Sequence, residues 1–318
     1  MSVLIYAESW EGKFKKSTFE AVSYAKKTAE LLKSNLVAIS VGAVDDEDLK
    51  RLGQYGVTRV ITCNDIPKAD TQALSNLVEN IVTESNIHTI IFSSTYTSRM
   101  IAPRLAVKMK AGIVSNVMST PNSIEPFLVK RKSFSGKAFE FAEITTAQRI
   151  LTISPNAFGI IESNEDCVIE RRGSVNRSEN ITVKSKEKTS GKISLSEADI
   201  IISAGRGLKG PENWGMIEDL AELLEAGTAC SKPVSDIGWR PHSEHVGQTG
   251  KTVSPNLYIA IGISGAIQHL AGVNASKKMV VINTDPEAPF FKAADYGIVG
   301  DAFDVVPKLI EEIKKIKN

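Results

Sequence analysis

The 318-residue sequence has little cysteine, almost no net charge and no apolar run of membrane-spanning length. Its three cysteines, Cys63, Cys167 and Cys230, are far apart and form no Cys-x-x-Cys pair, which argues against a disulfide framework and a structural zinc site. A formal net charge of +1 offers no electrostatic basis for binding nucleic acid or an anionic membrane. Because its start lacks a basic n-region followed by an apolar h-region, the chain is expected to be soluble and cytoplasmic.

A Gly-Lys-Thr sequence within HVGQTGKTVSPN, from His245 to Asn256, raises the question of a nucleoside triphosphate site. A Walker loop needs glycine at the position that His245 occupies, a hydrophobic strand before the loop and a helix after it. The residues before this stretch are polar and contain proline, and Pro255 prevents a helix soon after Thr252. We therefore expect a loop that holds something other than a triphosphate.

Short apolar segments alternate with amphipathic segments in the first half of the chain. Segments with strand length and β-branched content are VLIYA from Val3, LVAISV from Leu36, RVITC from Arg59 and HTIIFSS from His88. This alternation predicts an α/β fold in which a parallel sheet is covered by helices. From Phe127 onward, FLVKRKSF, AFEFAEI and RILTIS are expected to extend the same domain with antiparallel strands.

A polar stretch rich in Lys, Arg, Ser and Gly runs from Arg171 to Lys192 and is typical of a solvated linker. It predicts two domains, residues 1–190 including the linker and residues 191–318. Each is expected to be a mainly parallel sheet covered by helices, the second of them Rossmann-like. No repeat of fixed period is visible, which excludes solenoids and propellers.

Strand-to-loop junctions in the second half carry the residue types of a nucleotide site. The strand DIIISA leads into GRGLKG, whose Gly205, Gly207 and Gly210 satisfy the glycine-rich dinucleotide fingerprint. In LYIAIGISGAIQHLAG a strand ends near Gly262, and free amides at the start of the following helix can hold a phosphate. Because the carboxyl ends of parallel strands meet at one edge, these loops are expected to share a crevice.

Two further junctions follow strands in MVVINTDPEAP and YGIVGDA, and they deliver Asn283, Asp285 and Asp301 to the same edge. Each of these residues, taken singly, is more typical of a turn or a helix cap than of a ligand contact. His269 in the middle of a helix is similarly compatible with a structural role. The coincidence of all four junctions favours the interpretation as a ligand site.

These residues carry a specific resemblance. The blocks SAGRGLKG, VGQTGKTVSPNLYIAIGISGAIQHLAG and INTDPEAPFFKAADYGIVGD resemble the signature blocks of the α subunit of electron transfer flavoprotein, in the same order and with similar spacing. The similarity is close from Ser203 to Asp301, and residues 1–190 are similar in pattern to that family's first domain, which has a nucleotide alpha-hydrolase-like fold, here expected without a bound nucleotide.

The resemblance implies a heterodimer with a β subunit and an FAD cofactor bound mainly by the second domain. It also implies electron transfer from acyl-CoA and other dehydrogenases to a quinone oxidoreductase at the membrane. The residues that it assigns to FAD are Arg206, Ser231, Lys232, Val246, Gly247, Gln248, Thr249, Ser264, Gly265, Ala266, Ile267, Gln268, His269, Asn283 and Asp301. Arg206 and Ser231 would lie near the phosphates, the stretch from Val246 to Thr249 around the flavin ring, and Asn283 and Asp301 at the adenosine end.

One position departs from the family pattern, because many members place an arginine over the flavin where this chain has Lys232. Lysine keeps the positive charge and loses the planar stacking surface. Two other classes of function stay open. One is an enzyme with thiamine diphosphate or NAD, since INTDPEAP with ADYGIVGDA also resembles the central domain of thiamine-diphosphate enzymes. The other is a subunit without a cofactor that acts only in assembly.

Overall fold

The computed structural model describes residues 2–66, 70–173, 184 and 194–317. The chain divides into two compact units, Met1–Ser133 with Phe139–Lys188 and Phe134–Ala138 with Thr189–Asn318. The predicted boundary between residues 190 and 191, and most of the predicted linker, lie outside the described residues. None of the helices in the described ranges combines the length and the hydropathy that a membrane span requires.

A nine-stranded sheet forms the centre of the first unit. The strands in the described residues up to 173 are β1 (Ser2–Tyr6), β2 (Ser9–Trp10), β3 (Lys13–Phe14), β4 (Asn35–Val41), β5 (Arg59–Cys63), β6 (Thr89–Ser93), β7 (Gly112–Val117), β8 (Phe127–Ser133), β9 (Ala138–Ile144), β10 (Arg149–Ile153) and β11 (Val168–Arg171). The helices are α1 (Lys16–Leu31), α2 (Asp46–Arg51), α3 (Thr71–Glu84) and α4 (Tyr96–Met109). The sheet order is β11-β5-β4-β1-β6-β10-β7-β8-β9.

The four predicted strands of the first half are confirmed as β1, β4, β5 and β6, which pair in parallel. The prediction that RILTIS belongs to an antiparallel extension is wrong. β10 lies between β6 and β7 and pairs in parallel with both. The physical reason is its burial, since Ile150, Leu151 and Ile153 are each at most 1% exposed and a strand covered on both faces suits the middle of a parallel sheet. Antiparallel pairing is seen where β8 joins β7.

The second unit contains a five-stranded parallel sheet, as the sequence predicts. Its strands in the described residues are β12 (Ile200–Ala204), β13 (Gly227–Cys230), β14 (Leu257–Ile261), β15 (Lys278–Asn283) and β16 (Tyr296–Val299), in the order β13-β12-β14-β15-β16. Its helices are α5 (Gly215–Leu223), α6 (Lys232–Asp236), α7 (Ile267–Val273) and α8 (Ala302–Lys317). All four strand pairs are parallel, which confirms the expected fold class.

Alternation along the strands of the second unit creates two apolar cores, one on each face of the sheet. Ile202 and Ile261 pack on the face that also buries Trp214 and Ile217 at the start of α5. Tyr258 and its neighbours pack on the opposite face with residues of α7 and of the loop that begins at Val246. Because successive side chains of a strand point to opposite faces, helices α5 and α8 cover one face of the sheet, and α7 with that loop covers the other.

Candidate functional site

The candidate site lies at the carboxyl edge of the second sheet, where the direction of strand progression reverses. β13 follows β12 along the chain and pairs on one side of it, whereas β14 pairs on the other side. The loops that leave β12 and β14 therefore diverge around a crevice, which is the usual ligand position in an open α/β sheet. Ala204 pairs with both Cys230 and Ile261, so the residues after these three strand ends lie side by side.

Glycines allow the loops after β12 and β14 to touch backbone to backbone. A Cβ atom at Gly205 would lie 2.2 Å from the carbonyl oxygen of Gly262, and one at Gly207 would lie 2.6 Å from the Gly262 Cα. The Gly205 N–H donates to the Ile261 carbonyl over 2.9 Å, which fixes this approach. Gly262 has a φ of +61°, a conformation that favours glycine. Any larger side chain at Gly205 or Gly207 would force the loops apart.

Consecutive backbone amides lie open in the loop between β14 and α7. None of the N–H groups from Ile263 to Gln268 donates to a backbone carbonyl within the described residues. Gly265 has a φ of +84° and packs against the backbone of Phe290, so the loop curves tightly. Ser264, Ala266, Ile267 and Gln268 are exposed. Unpaired amides in such a curved segment form a concave group of hydrogen-bond donors that suits an anion.

Two cationic side chains lie on the loops that leave β12 and β13 at the same edge of the sheet. Arg206 follows β12 and Lys232 follows β13, and both are exposed. Neither forms an ion pair with a carboxylate within the described part of the chain. Between them, Ser231 is 7% exposed, and its N–H donates to the Ala204 carbonyl over 3.1 Å. The edge thus presents two positive charges that no carboxylate in the described ranges pairs with.

The VGQTG loop folds against the same edge and against α7. Val246 donates its N–H to the Cys230 carbonyl over 3.1 Å, and Gln248 donates its N–H to the Gln268 carbonyl over 2.7 Å. A Cβ at Gly272 would lie 2.5 Å from the Gly247 Cα, so the loop and the helix are in backbone contact. Gln248 and Thr249 are exposed at the tip, whereas the Val246 side chain lies in the core. The Thr249 hydroxyl is consequently available to a ligand, and Val246 serves as an anchor.

His269 lies behind this loop in a buried polar pair. Its Nε2 is 3.0 Å from the Tyr258 hydroxyl, and the ring is 6% exposed. Its Nδ1 is buried and has no hydrogen-bond partner in the described structure. Burial, reinforced by the nearby His245, lowers the pKa of His269 to about 4. The Val246 backbone opposes this lowering, and the imidazole is neutral at physiological pH.

Asn283 and Asp301 both make hydrogen bonds to the protein. The Asn283 side-chain amide donates to the Ile263 carbonyl over 3.0 Å, and its oxygen accepts from the Asp285 N–H. Asp301 accepts from the Phe303 N–H at the start of α8 and pairs with Lys209 over 3.3 Å. Burial and these donors change the pKa of Asp301 in opposite directions, and the N–H of Phe303 dominates, so the pKa is lowered. These bonds are the turn and cap roles that the sequence left as alternatives.

The sequence did not single out several residues that support the site. Arg240 and Glu244 form a doubly hydrogen-bonded pair at 2.7 and 2.9 Å, with Glu244 5% exposed, just before the VGQTG loop. Arg240 also pairs with Glu218 over 3.0 Å. Tyr258 is fully buried and stacks on Phe290, with a ring separation of 6.4 Å. The i, i+4 spacing of Arg240 and Glu244 was visible in the sequence, but the burial of the Glu244 carboxylate was not.

The donor set fits an anionic dinucleotide. Open amides, the two free cations and the Ser231 and Ser264 hydroxyls gather near β12, β13 and β14, whereas Asn283 and Asp301 lie at β15 and β16. Four strand spacings separate β13 from β16, about 19 Å, which an extended dinucleotide can span and a single phosphate cannot. The Nδ1 of His269, buried without a hydrogen-bond partner among the described residues, adds a polar atom on the side of the VGQTG loop. The residues present therefore fit a dinucleotide such as FAD.

Comparison with known proteins agrees with this assignment. Residues 3–180 match the family model described as "Electron transfer flavoprotein domain", and residues 194–274 match "Electron transfer flavoprotein FAD-binding domain". An electron transfer flavoprotein subunit alpha of Bacillus subtilis is 36% identical over 327 residues, covering 99% of this chain and 98% of the relative. That of Syntrophomonas wolfei is 35% identical, covering 98% of both chains. The acryloyl-CoA reductase electron transfer subunit beta of Anaerotignum propionicum is 31% identical, covering 99% of this chain and 96% of the relative. The chain belongs to the electron transfer flavoprotein alpha-subunit family, and its cofactor is FAD.

Proposed function

We propose that this chain is the FAD-carrying α subunit of a heterodimer that takes electrons from dehydrogenases, such as acyl-CoA dehydrogenases, and passes them to a quinone oxidoreductase at the membrane. The observation that carries the proposal is the donor-rich carboxyl edge of the second sheet, with its open amides and unpaired cations. An acyl-CoA-linked partner is supported by the similarity to the acryloyl-CoA reductase electron transfer subunit.

Phosphate binding is assigned to the residues around β12 and β14. Arg206 supplies charge, and the amides from Ile263 to Gln268 supply aligned donors within a loop that Gly262 and Gly265 allow to curve. Ser231 adds a hydroxyl, and Lys232 adds a second cation without the planar surface of arginine. A charge-assisted hydrogen bond to phosphate contributes about 1.5–3 kcal/mol, so Arg206 is expected to determine much of the retention of FAD.

Asn283 and Asp301 are assigned to the adenosine end. Their hydrogen bonds to the protein leave each with further accepting capacity, since a carboxylate or an amide oxygen accepts more than one hydrogen bond. Asn283 also donates to the Ile263 carbonyl, so it positions the loop that carries the open amides in addition to any contact with the adenosine.

When bound, FAD supplies a ring system that accepts and releases electrons singly or in pairs. Thr249 offers this ring a hydroxyl that both donates and accepts, which suits a ring nitrogen whose hydrogen-bonding role changes on reduction. In the tautomer whose Nε2 accepts from the Tyr258 hydroxyl, the neutral His269 ring would donate from Nδ1 to a carbonyl oxygen of the flavin ring. Such a bond stabilises negative charge on the ring and so favours its reduction.

A β subunit is assigned to cover the exposed side of this site. Ile267 is 72% exposed next to the open amides, and Thr249 and Gln248 are exposed at the loop tip. An FAD bound to the open amides would stay open to solvent on this side, and a partner subunit would cover it. We therefore expect the isolated chain to bind FAD poorly and the heterodimer to bind it tightly.

Co-expression with the cognate β subunit tests this function. We expect a yellow heterodimer from which FAD is extracted, with a flavin that an acyl-CoA dehydrogenase and its substrate reduce anaerobically. The isolated chain, purified in parallel, measures the contribution of the partner. A heterodimer that stays colourless after addition of FAD, or that instead yields thiamine diphosphate or NAD, would refute the proposal.

A further inference from the structure

His245 occupies the interior of the VGQTG loop although it belongs to none of the predicted contacts. It is 2% exposed, and its backbone bridges to Cys230 at the end of β13. The three atoms nearest to a Cβ built at Gly250 all belong to His245, with Nδ1 at 2.8 Å. A Cβ built at Gly247 would lie 3.4 Å from its Nε2. The imidazole therefore lies between the two glycines, and a side chain at Gly250 would overlap it.

The loop closes around this ring through its backbone. Lys251 donates its N–H to the His245 carbonyl over 2.9 Å, and Gly247 donates to the Lys251 carbonyl over 3.1 Å. The Gly250 N–H donates to the Gly247 carbonyl over 3.1 Å. Gln248 and Thr249 lie exposed at the tip and add nothing to the core. The His245 ring fills the turn beneath the tip, so the shape of the tip depends on this ring.

The surroundings of the ring favour its neutral form. Charged or titratable groups that act on it are His242 before the loop, Lys232 and Asp236 of α6, and His269 of α7. Burial lowers the pKa of His245, His242 and Lys232 lower it further, and Asp236 opposes them. Its Nδ1 is buried without a hydrogen-bond partner in the described residues. A neutral imidazole can act here as a packing element, which a cation could not.

We propose that His245 is a positioning residue for the flavin: its ring, enclosed between Gly247 and Gly250, holds Gln248 and Thr249 in the conformation that contacts the isoalloxazine. It does not contact the cofactor itself, since its ring is buried beneath the loop. This inference rests on the proposed assignment of the VGQTG loop to the flavin ring. It predicts that the position of Thr249 changes when the ring of His245 is removed.

The test compares His245→Ala and His245→Gln with His242→Ala, each in the heterodimer with β. His242 is the matched control because it is an exposed histidine whose ring lies 5.2 Å from that of His245. For His245→Ala we expect the dissociation constant of FAD to rise about tenfold or more and the flavin midpoint potential to shift at saturating FAD. We also expect faster amide exchange at residues 246–251 in the FAD-free protein. His245→Gln should restore most of these values, and His242→Ala should match wild type.

Gly250→Ala provides a second route if His245→Ala fails to fold, because its methyl group would press on the same ring and should shift potential and exchange in the same direction. Wild-type protein that binds no FAD, or a Thr249→Ala variant with an unchanged potential, would refute the proposed loop assignment. If Thr249→Ala shifts the potential while His245→Ala and Gly250→Ala keep wild-type exchange, affinity and potential, the loop assignment stands and the positioning role of His245 is wrong.

Discussion

Substituting Gly272 by alanine tests whether contact between α7 and the VGQTG loop is required for FAD binding. Gly272 lies in the last turn of α7, where alanine would ordinarily be preferred by up to about 1 kcal/mol for its helix propensity. However, the added Cβ would lie 2.5 Å from the Gly247 Cα and 2.6 Å from its backbone nitrogen. Carbon atoms pack at about 3.5–4.0 Å, so the loop must move by about 1 Å.

Neither side of this contact moves freely. Gly247 is held by its own hydrogen bond to the Lys251 carbonyl and by that of its neighbour Gln248 to the Gln268 carbonyl. Its φ of +152° also limits the alternatives open to the backbone. Overpacking of this kind costs about 1–3 kcal/mol, which outweighs the gain in helix propensity. A displacement of about 1 Å at the loop tip should weaken FAD binding about tenfold or more.

Gly215→Ala is the matched control, because Gly215 begins α5 in the right-handed helical region and no heavy atom lies within 4 Å of an added Cβ. It should leave stability equal or higher and FAD affinity unchanged. Thermal unfolding followed by circular dichroism gives the stability, and flavin fluorescence titration gives the dissociation constant. If Gly272→Ala unfolds at the same temperature as Gly215→Ala and binds FAD like wild type, the loop and α7 are not in the close contact described.

Three further predictions concern cofactor retention, pH and the linker. Arg206→Ala should weaken FAD retention about tenfold in dialysis with little change in flavin potential. Thr249→Ala should instead change the potential at nearly normal FAD content. The difference is expected because the strength of a ring contact depends on the electron count of the flavin and that of a phosphate contact does not. Burial lowers the pKa of His269 to about 4, so at acidic pH the unfolded chain binds a proton at this residue that the folded chain does not bind. The free energy of unfolding of the FAD-free protein should therefore fall on the order of 3 kcal/mol as the pH falls from 6.5 to 4. Urea titrations of His269→Gln should show a smaller loss. Limited trypsin digestion should cut first between Lys184 and Gly191, a prediction from composition for a segment largely outside the described residues, and first cuts between Gly205 and Gly272 would contradict it.

The fold was predictable where local pattern and tertiary environment agree. β1, β4, β5 and β6 are β-branched segments separated by helical periodicity, and that pattern has few solutions other than a parallel sheet. β10 was assigned to the wrong pairing because an apolar segment near two other strands in sequence is equally typical of a hairpin. Its position between β6 and β7 depends on long-range pairing that no local signal encodes.

The location of the site was predictable for a similar reason, because strand ends of a parallel sheet share one edge. The sequence did not predict which loop side chains point into the core and which point outward. Val246 and Gly265 were expected to contact FAD, yet Val246 lies in the core and Gly265 packs on Phe290. Their assignment to FAD stays a prediction, while their packing explains why a loop of this sequence holds its shape. His245 illustrates the converse, since only the folded backbone shows which ring the two glycines enclose.

The two sheets place opposite chemistry at their points of strand reversal. In the first unit this point lies between β1 and β6, and there the Glu8 carboxylate accepts hydrogen bonds from the Thr95 and Thr97 hydroxyls at 2.5 and 2.6 Å. The N–H of Ser98 in the first turn of α4 is engaged as well, because Thr95 and Ser98 form a reciprocal capping box. In the second unit the same topological position has glycines, open amides and Arg206. A carboxylate repels phosphate where unpaired amides and a guanidinium attract it, so the same sheet topology favours an anionic ligand in the second unit and disfavours one in the first.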